Sequence, residues 1–272
     1  MNVVKKIGWW IWYIFAIPFV CLSFFLAMVS VGRKARKYRK FPNKFFLEQR
    51  YNFVHSQVNK LLFIKRVKVH SNGTSKIPTI PTLFVYNHKS NIDAVVLLKL
   101  LFEHWENTNQ AFKFKFVAKK ELQNKKNMIT SVLDLLDTIY LDRNDIRQQF
   151  KAFESQHNSV KDKYSIIIAP EGTRYHQHEF GDFKAGAFKL AFHNLIPIQP
   201  IVLYGTPGLL FEKKYAKVSR DIYVTFLIYR KPFDFHTHNI EWYSNEIRGE
   251  MIKEYLRIKK NVENHTPVYE VE

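Results

Sequence analysis

From Ile7 to Val31 the chain carries no charged side chain, and eight aromatic residues (Trp9, Trp10, Trp12, Tyr13, Phe15, Phe19, Phe24 and Phe25) crowd the same stretch. Such a run is poorly suited to the surface of a soluble domain. As a helix it would extend roughly 37 Å, enough to cross a hydrocarbon core of about 30 Å with some tilt. Arg33, Lys34, Arg36, Lys37, Arg39 and Lys40 follow at once, against only Lys5 and Lys6 on the other flank. The heavier cluster stays cytoplasmic under the positive-inside rule. The expectation is a cell-membrane protein whose chain after residue 32 lies on the cytoplasmic face. A cleaved signal peptide fits poorly, because the run is long and a polybasic block follows it. Pro18 removes a helix hydrogen bond and invites a kink, so a re-entrant helix pair stays open beside a single crossing. In either case the basic block would sit against anionic lipid headgroups.

The remaining composition narrows the function classes. Forty-two Lys and Arg against 24 Asp and Glu give a formal charge of +18 over 272 residues. A surplus of that size points to a polyanionic partner, nucleic acid or an anionic membrane surface. No nucleic-acid-binding motif accompanies the charge, and the juxtamembrane block accounts for part of it, so nucleic acid is not an expected partner. With 46% hydrophobic and 16% aromatic residues, the chain is not a disordered one. Cys21 is the only cysteine. Internal disulfides and a cysteine zinc site are therefore excluded, and cysteine nucleophilic catalysis is disfavoured.

Beyond the basic block, residues 41–61 read as an amphipathic helix leading away from the membrane. Strands are expected over Arg66–His70, Leu83–Tyr86, Phe114–Ala118, Ile139–Leu141, Ser165–Ile168, Pro197–Leu203 and Ile222–Tyr229. Ser71-Asn72-Gly73 carries turn chemistry. Helices are expected after Asn91, over Gln148–His157 and Ala185–Asn194, and over Glu241–Lys260 with Trp242, Ile247, Met251, Tyr255 and Ile258 on or near one face. Strands alternating with helices predict an α/β fold with a mixed, largely parallel sheet flanked by helices. No repeat and no Gly- or Pro-rich linker divides the soluble part. Two units follow: an anchor over 1–40 and one catalytic domain over 41–272.

In Asn87-His-Lys-Ser-Asn-Ile-Asp93 an imidazole and a carboxylate stand five residues apart. A histidine is the natural base for taking a hydroxyl proton, and a carboxylate can set its tautomer and steady the imidazolium. Within one helix, positions five apart face different ways. The two meet only if His88 lies in a loop after a strand and Asp93 lies in the first helical turn, with Ser90 or Asn91 as N-cap. Spacing alone is weak, since His157 and Asp162 repeat it in a stretch that reads as surface loop. Position favours His88, because sites in open α/β sheets lie at the carboxyl ends of strands.

Three further strand ends carry chemistry. Pro170-Glu-Gly-Thr-Arg174 offers a permissive glycine at Gly172, the Thr173 hydroxyl and the Arg174 fork, which suits a phosphate. As a plain turn, it would instead pair Glu171 with Arg174. Arg143 follows the Ile139–Leu141 strand, and Lys119 and Lys120 follow Ala118. Four sites at four strand ends, one supplying a base and three supplying cations, match a hydroxyl-bearing substrate with a phosphate close by. His176 and His178 with His236 and His238 could suggest a metal, but no carboxylates accompany them in pattern.

Asn87-His-Lys-Ser-Asn-Ile-Asp93, Arg143, Glu171-Gly-Thr-Arg174 and Ile196-Pro-Ile-Gln-Pro200 resemble the four ordered motifs of the 1-acylglycerol-3-phosphate acyltransferases. Val117–Leu122 and Phe183–Ala187 resemble the segments between them, so the similarity covers roughly residues 80–205. The resemblance implies a glycerolipid acyltransferase-like fold, no metal and no cofactor. It implies direct transfer from an acyl thioester, of acyl carrier protein or coenzyme A, to the free hydroxyl of lysophosphatidic acid. His88 would take the hydroxyl proton and Asp93 would orient His88. Arg143 and Arg174, with Lys120, would hold the acceptor phosphate. Glu171 and Gly172 would shape the loop bearing Thr173, and Gly172 or a neighbouring amide would face the oxyanion. Ser90 would be structural. The Glu-Gly-Thr-Arg form favours lysophosphatidate over glycerol 3-phosphate. Ala169, Tyr175 and the glycine-free Val132–Thr138 depart from the family pattern and leave the acyl chain and acceptor less defined. Another lysophospholipid, glycerol 3-phosphate, or a non-catalytic basic binding protein are the alternatives.

Overall fold

The computed structural model describes residues 3–108, 113–123, 125, 128–142, 158–175, 180–209 and 220–269, without the side chains at 3–18, 20, 21, 24 and 233. Helix α1 (Val3–Lys40) is continuous over 38 residues and includes the apolar run. Its final turns do not stand apart from the soluble layer. Val31 and Ala35 are buried, and Ala35 packs into the same core as the next helix. The expected unit boundary at residue 40 therefore falls after a segment already seated on the domain. Among the described residues no helix is long and apolar enough to cross a membrane. Most side chains of the Ile7–Val31 run lie outside that description.

Pro42 opens a short 3-10 turn over Pro42–Lys44, which delays α2 to Leu47–Ile64 instead of the expected start at 41. Next, Arg66 takes a positive φ of 52°, and β1 forms over Lys68–Asn72. The strand thus sits two residues later than the alternation suggested, and only Gly73 (φ 76°) makes the turn. A Cβ at Gly73 would lie 2.4 Å from the Phe226 carbonyl oxygen, so close approach as well as φ selects glycine there.

The order continues with β2 (Leu83–Tyr86), α3 (Ile92–Thr108), β3 (Lys113–Lys119), α4 (Lys120–Gln123), α5 (Met128–Leu135), β4 (Ile139–Leu141) and β5 (Tyr164–Ile168). It closes with α6 (Lys189–Asn194), β6 (Ile198–Tyr204), β7 (Asp221–Phe226) and α7 (Ile240–Glu263). The helix expected over Gln148–His157 lies outside the described residues. The seven strands form one sheet in the order β1-β7-β6-β2-β5-β3-β4. Neighbours from β6 through β4 run parallel, while β7 is antiparallel to β6 and parallel to β1. This is the mixed, largely parallel sheet that the alternation of elements predicted.

Both faces of the sheet are covered, and β2 shows how. Phe84 and Tyr86 join the core under α2 and α3, with Phe114, Phe116, Val96 and Leu101. Leu83 and Val85 join the opposite core under α6 and α7, with Leu190, Ile247, Met251 and Ile258. Alternate residues of one strand thus feed alternate layers, as the period of two requires. Flanked on both sides, β2 is entirely buried and ends at Asn87 with little freedom.

Polar links join α1 and α2 to the β4 side. Arg50 is buried and donates to the Leu135 carbonyl (2.9 Å) and to Asp137 (2.9 Å). Tyr38 also donates to Asp137, and Arg39 pairs with Asp134. An arginine fork that satisfies a carbonyl and a carboxylate together loses less on burial than one left half-paired.

Candidate active site

Because β6, β2, β5, β3 and β4 are parallel, their carboxyl ends share one edge of the sheet, and the candidate residues follow these ends. The end of β2 is tied down first. Asn87 is buried; its Nδ2 donates to the Leu203 carbonyl (2.9 Å) and its Oδ1 accepts from the Leu203 N–H (2.8 Å). One side-chain amide so completes the backbone pairing between β2 and β6 where the ladder ends.

His88 follows in a loop, and Asp93 sits in the first turn of α3, the arrangement needed for residues five apart to meet. His88 Nδ1 lies 2.9 Å from Asp93 Oδ2. The same oxygen accepts the N–H groups of Lys89 (2.7 Å) and Ser90 (2.8 Å). Three donors on one oxygen fix the carboxylate in place against the imidazole. The network assigns the His88 proton to Nδ1 and leaves Nε2 with its lone pair for the cleft that His88 lines. Asp93 is 0% exposed, while the His88 side chain keeps 23% of its surface. Ser90 is buried and its Oγ accepts from the Ile92 N–H (3.4 Å), an N-cap role.

The loop after β5 is stitched to the loop after β2. Glu171 Oε1 accepts the backbone N–H of His88 (2.8 Å), and Oε2 accepts that of Gly181 (2.9 Å). Tyr175 N–H donates to the His88 carbonyl (3.0 Å). Burial pushes the Glu171 carboxyl above its ordinary range, against the pull of these N–H groups and of Lys89 and His88. Glu171 thus shapes the loop through the backbone donors of His88 and Gly181, and not by the plain-turn pairing with Arg174. Its carboxylate faces buried backbone donors rather than the cleft. Gly172 has φ 70° and donates its N–H to Ala169 (3.1 Å), so its own amide is committed to the turn rather than to an oxyanion.

Thr173 and Arg174 are exposed and line a cleft of about 790 Å³ together with His88. Lys119, Lys125 and Lys184 add charge to its walls, while Ala94, Phe116, Leu122, Ile129 and Leu133 make an apolar side. Lys120, expected in this group, begins α4 and pairs instead with Asp142 (3.3 Å). Its neighbour Lys119 takes the place at the cleft. Arg143 lies outside the described residues, as do His176 and His178. His238 stacks on the Trp242 ring at 3.8 Å.

Residues 66–204, just over half of the chain, match the family described as Acyltransferase. The chain belongs to the acyltransferase family. It is 30% identical over 241 residues to a Mycoplasma pneumoniae protein named "Probable 1-acyl-sn-glycerol-3-phosphate acyltransferase", covering 86% of this chain and 88% of that one. A Mycoplasma genitalium protein of the same name is 34% identical over 200 residues, covering 74% and 71%. In fold, the chain is similar to the crystal structure of the 1-acyl-sn-glycerophosphate (LPA) acyltransferase PlsC from Thermotoga maritima. The TM-score is 0.56 over 89% of this chain and 90% of that one, at 22% identity.

Several residues of this acyltransferase site take roles that the sequence motifs did not assign. Asn87 and Gly181 act through backbone partners, which a linear pattern does not display. Lys184 reaches the cleft because its N–H is held by the Pro170 carbonyl (3.0 Å), ten and more residues back along the chain. Arg248 of α7 supports the same region from behind, donating to the carbonyls of Gly181 (2.7 Å) and Phe180 (3.0 Å).

The Glu171 clamp makes a direct prediction. Glu171→Gln keeps the size but offers one acceptor where two N–H donors converge, so one donor would face an amide NH2. The expected cost is about 1–3 kcal/mol of local stability. A folded Glu171→Gln protein should lose kcat, measured by steady-state acyl transfer. Wild-type kcat in that variant would show that the clamp does not set His88.

Proposed function

We propose that the chain transfers an acyl group from an acyl thioester to the free hydroxyl of 1-acyl-glycerol-3-phosphate, giving phosphatidic acid. The observation that carries this is the His88–Asp93 pair at the carboxyl end of β2, opening on a cleft with cationic and apolar walls. The names of the two Mycoplasma relatives support the acceptor. In the proposed step His88 Nε2 takes the proton as the hydroxyl oxygen attacks the thioester carbonyl. Asp93 stabilises the imidazolium that forms. Collapse of the tetrahedral intermediate breaks the C–S bond, and the imidazolium returns its proton to the departing thiolate. His88 and Asp93 end unchanged, and no acyl-enzyme is needed.

Arg174 is the proposed ligand of the acceptor phosphate, with Lys119 or Lys184 beside it and Arg143 retained from the sequence. The acyl donor is proposed to be a thioester of acyl carrier protein or coenzyme A. The apolar wall from Ala94, Phe116, Ile129 and Leu133 suits an acyl chain. For α1, the proposal is membrane anchorage with the basic block on anionic headgroups at the cytoplasmic face. Support comes from the uncharged Ile7–Val31 run and from the exposed Phe19, Leu22, Phe25 and Leu26 along the helix.

Three measurements test these assignments. His88→Ala should reduce acyl transfer to lysophosphatidic acid to the uncatalysed level while the protein still folds and binds membranes; an active His88→Ala protein sinks the mechanism. Arg174→Ala should raise the acceptor KM by about tenfold or more, the scale of a lost charge-assisted contact; an unchanged KM removes Arg174 from the phosphate site. In co-sedimentation with anionic vesicles, the full chain should stay bound in 1 M salt, where the Debye length is only about 3 Å. Release by salt would leave surface attraction alone and refute insertion of α1.

A further inference from the structure

The mechanism leaves Lys89, directly after His88, without a task. Lys89 is 0% exposed, a rare state for a lysine. Removing an ammonium from water is costly unless its surroundings compensate it. Two aromatic faces contribute here: Lys89 Nζ lies 4.7 Å from the centre of the Phe180 ring and 5.5 Å from that of Tyr255. Both distances are within cation–π range. The two rings also meet each other edge to face, with centroids 5.2 Å apart. The ammonium is thus held by a formed wall rather than by one chance contact.

This wall belongs to the apparatus that supports His88. Phe180 precedes Gly181, whose N–H binds Glu171 Oε2, and Glu171 Oε1 binds the N–H of His88. Arg248 holds the carbonyls of Phe180 and Gly181. Tyr255 lies seven residues on from Arg248, two turns along the same side of α7. Lys89 is the next residue after His88 and is caged by rings from the loop and helix that close the Glu171 clamp; a nearby positive charge also favours the Glu171 anion. A neutral side chain of the same length would fill the space, so packing alone does not call for an ammonium.

We propose that Lys89 is a positioning residue for acyl transfer: its ammonium, caged between Phe180 and Tyr255, fixes the segment that carries Gly181 and so keeps the Glu171 clamp closed on the His88 backbone. It touches neither substrate nor the reacting atoms. The proposal rests on His88 being the base, and the test separates the two. Lys89→Met, Lys89→Arg and His88→Ala full chains are assayed together for kcat, for the lysophosphatidic acid KM and for thermal melting.

Lys89→Met should lower kcat by about tenfold or more, the scale of a lost desolvated cation–π contact, with KM within about twofold of wild type. Lys89→Arg restores the charge and should recover most of the kcat; a merely space-filling lysine would favour methionine over the bulkier arginine. Glu171→Gln combined with Lys89→Met should be little slower than Glu171→Gln alone, because the two act through one clamp. Wild-type kcat in Lys89→Met, or a folded Lys89→Arg no faster than Lys89→Met, overturns the proposal. If Lys89→Met does not fold, Phe180→Leu decides, since it removes the nearer ring and keeps the charge: a lower kcat at unchanged KM is expected, and wild-type kcat overturns the proposal. An active His88→Ala defeats the mechanism itself. Inactive His88→Ala beside fully active Lys89→Met defeats only the role of Lys89.

Discussion

Glu171 holds two loops together with one carboxylate. One oxygen takes the N–H of His88 and the other takes that of Gly181, at 2.8 and 2.9 Å. Two further contacts work beside it: Asp93 holds the His88 ring, and the Tyr175 N–H holds the His88 carbonyl. The clamp exists because β2 and β5 are adjacent and parallel, so their following loops emerge side by side. Burial opposes a charged carboxylate, and the converging donors offset that opposition. A neutral amide could not serve both donors. This explains, from geometry, why an acidic residue stands at the first position of the Glu-Gly-Thr-Arg turn.

The fold was largely legible because buried strands announce themselves. Leu83–Tyr86 and Ser165–Ile168 are short apolar runs that end at turn residues, and both appear as strands within a residue of the expected bounds. The misses have local causes. At β1 the alternation of Arg66-Val-Lys-Val-His70 suggested a strand two residues too early, because Arg66 adopts a left-handed conformation that no pattern of polarity encodes. Pro42 displaced the start of α2 for the reason proline usually does, by setting a first turn of its own. α4 and α5 span only four and eight residues, too short for the helical period to stand out over several turns.

The site was legible in part. The spacing of His88 and Asp93 could be read together with the condition for their meeting, a loop followed by a helix start, and the geometry meets that condition. Roles that depend on which way a charge faces were not legible. Glu171 and Arg174 are three residues apart and opposite in charge, so a linear reading pairs them; in the fold the carboxylate turns inward and Arg174 lines the cleft. Lys119 and Lys120 are equivalent in sequence, yet the start of α4 between them sends Lys120 to Asp142 and leaves Lys119 at the cleft. A charge run records how many cations are present, and only the backbone distributes them.

α5 shows how the cleft and the N-terminal helix share one structural element. Ile129 and Leu133 line the cleft, while Met128 faces the groove between α1 and α2 with Phe19, Leu61 and Ile64. One residue after Leu133, Asp134 pairs with Arg39 of α1, and Asp137 just beyond the helix binds Tyr38 of α1 and Arg50 of α2. Asp137 itself has a φ of 50°, an uncommon conformation for a residue other than glycine, held between an arginine and a tyrosine. The wall of the cleft is thus joined through ion pairs and hydrogen bonds to the helix carrying the apolar run. A shift of α1 cannot leave α5 in place without breaking those contacts. The helix that carries the apolar run and the wall of the cleft are therefore mechanically coupled through Asp134 and Asp137.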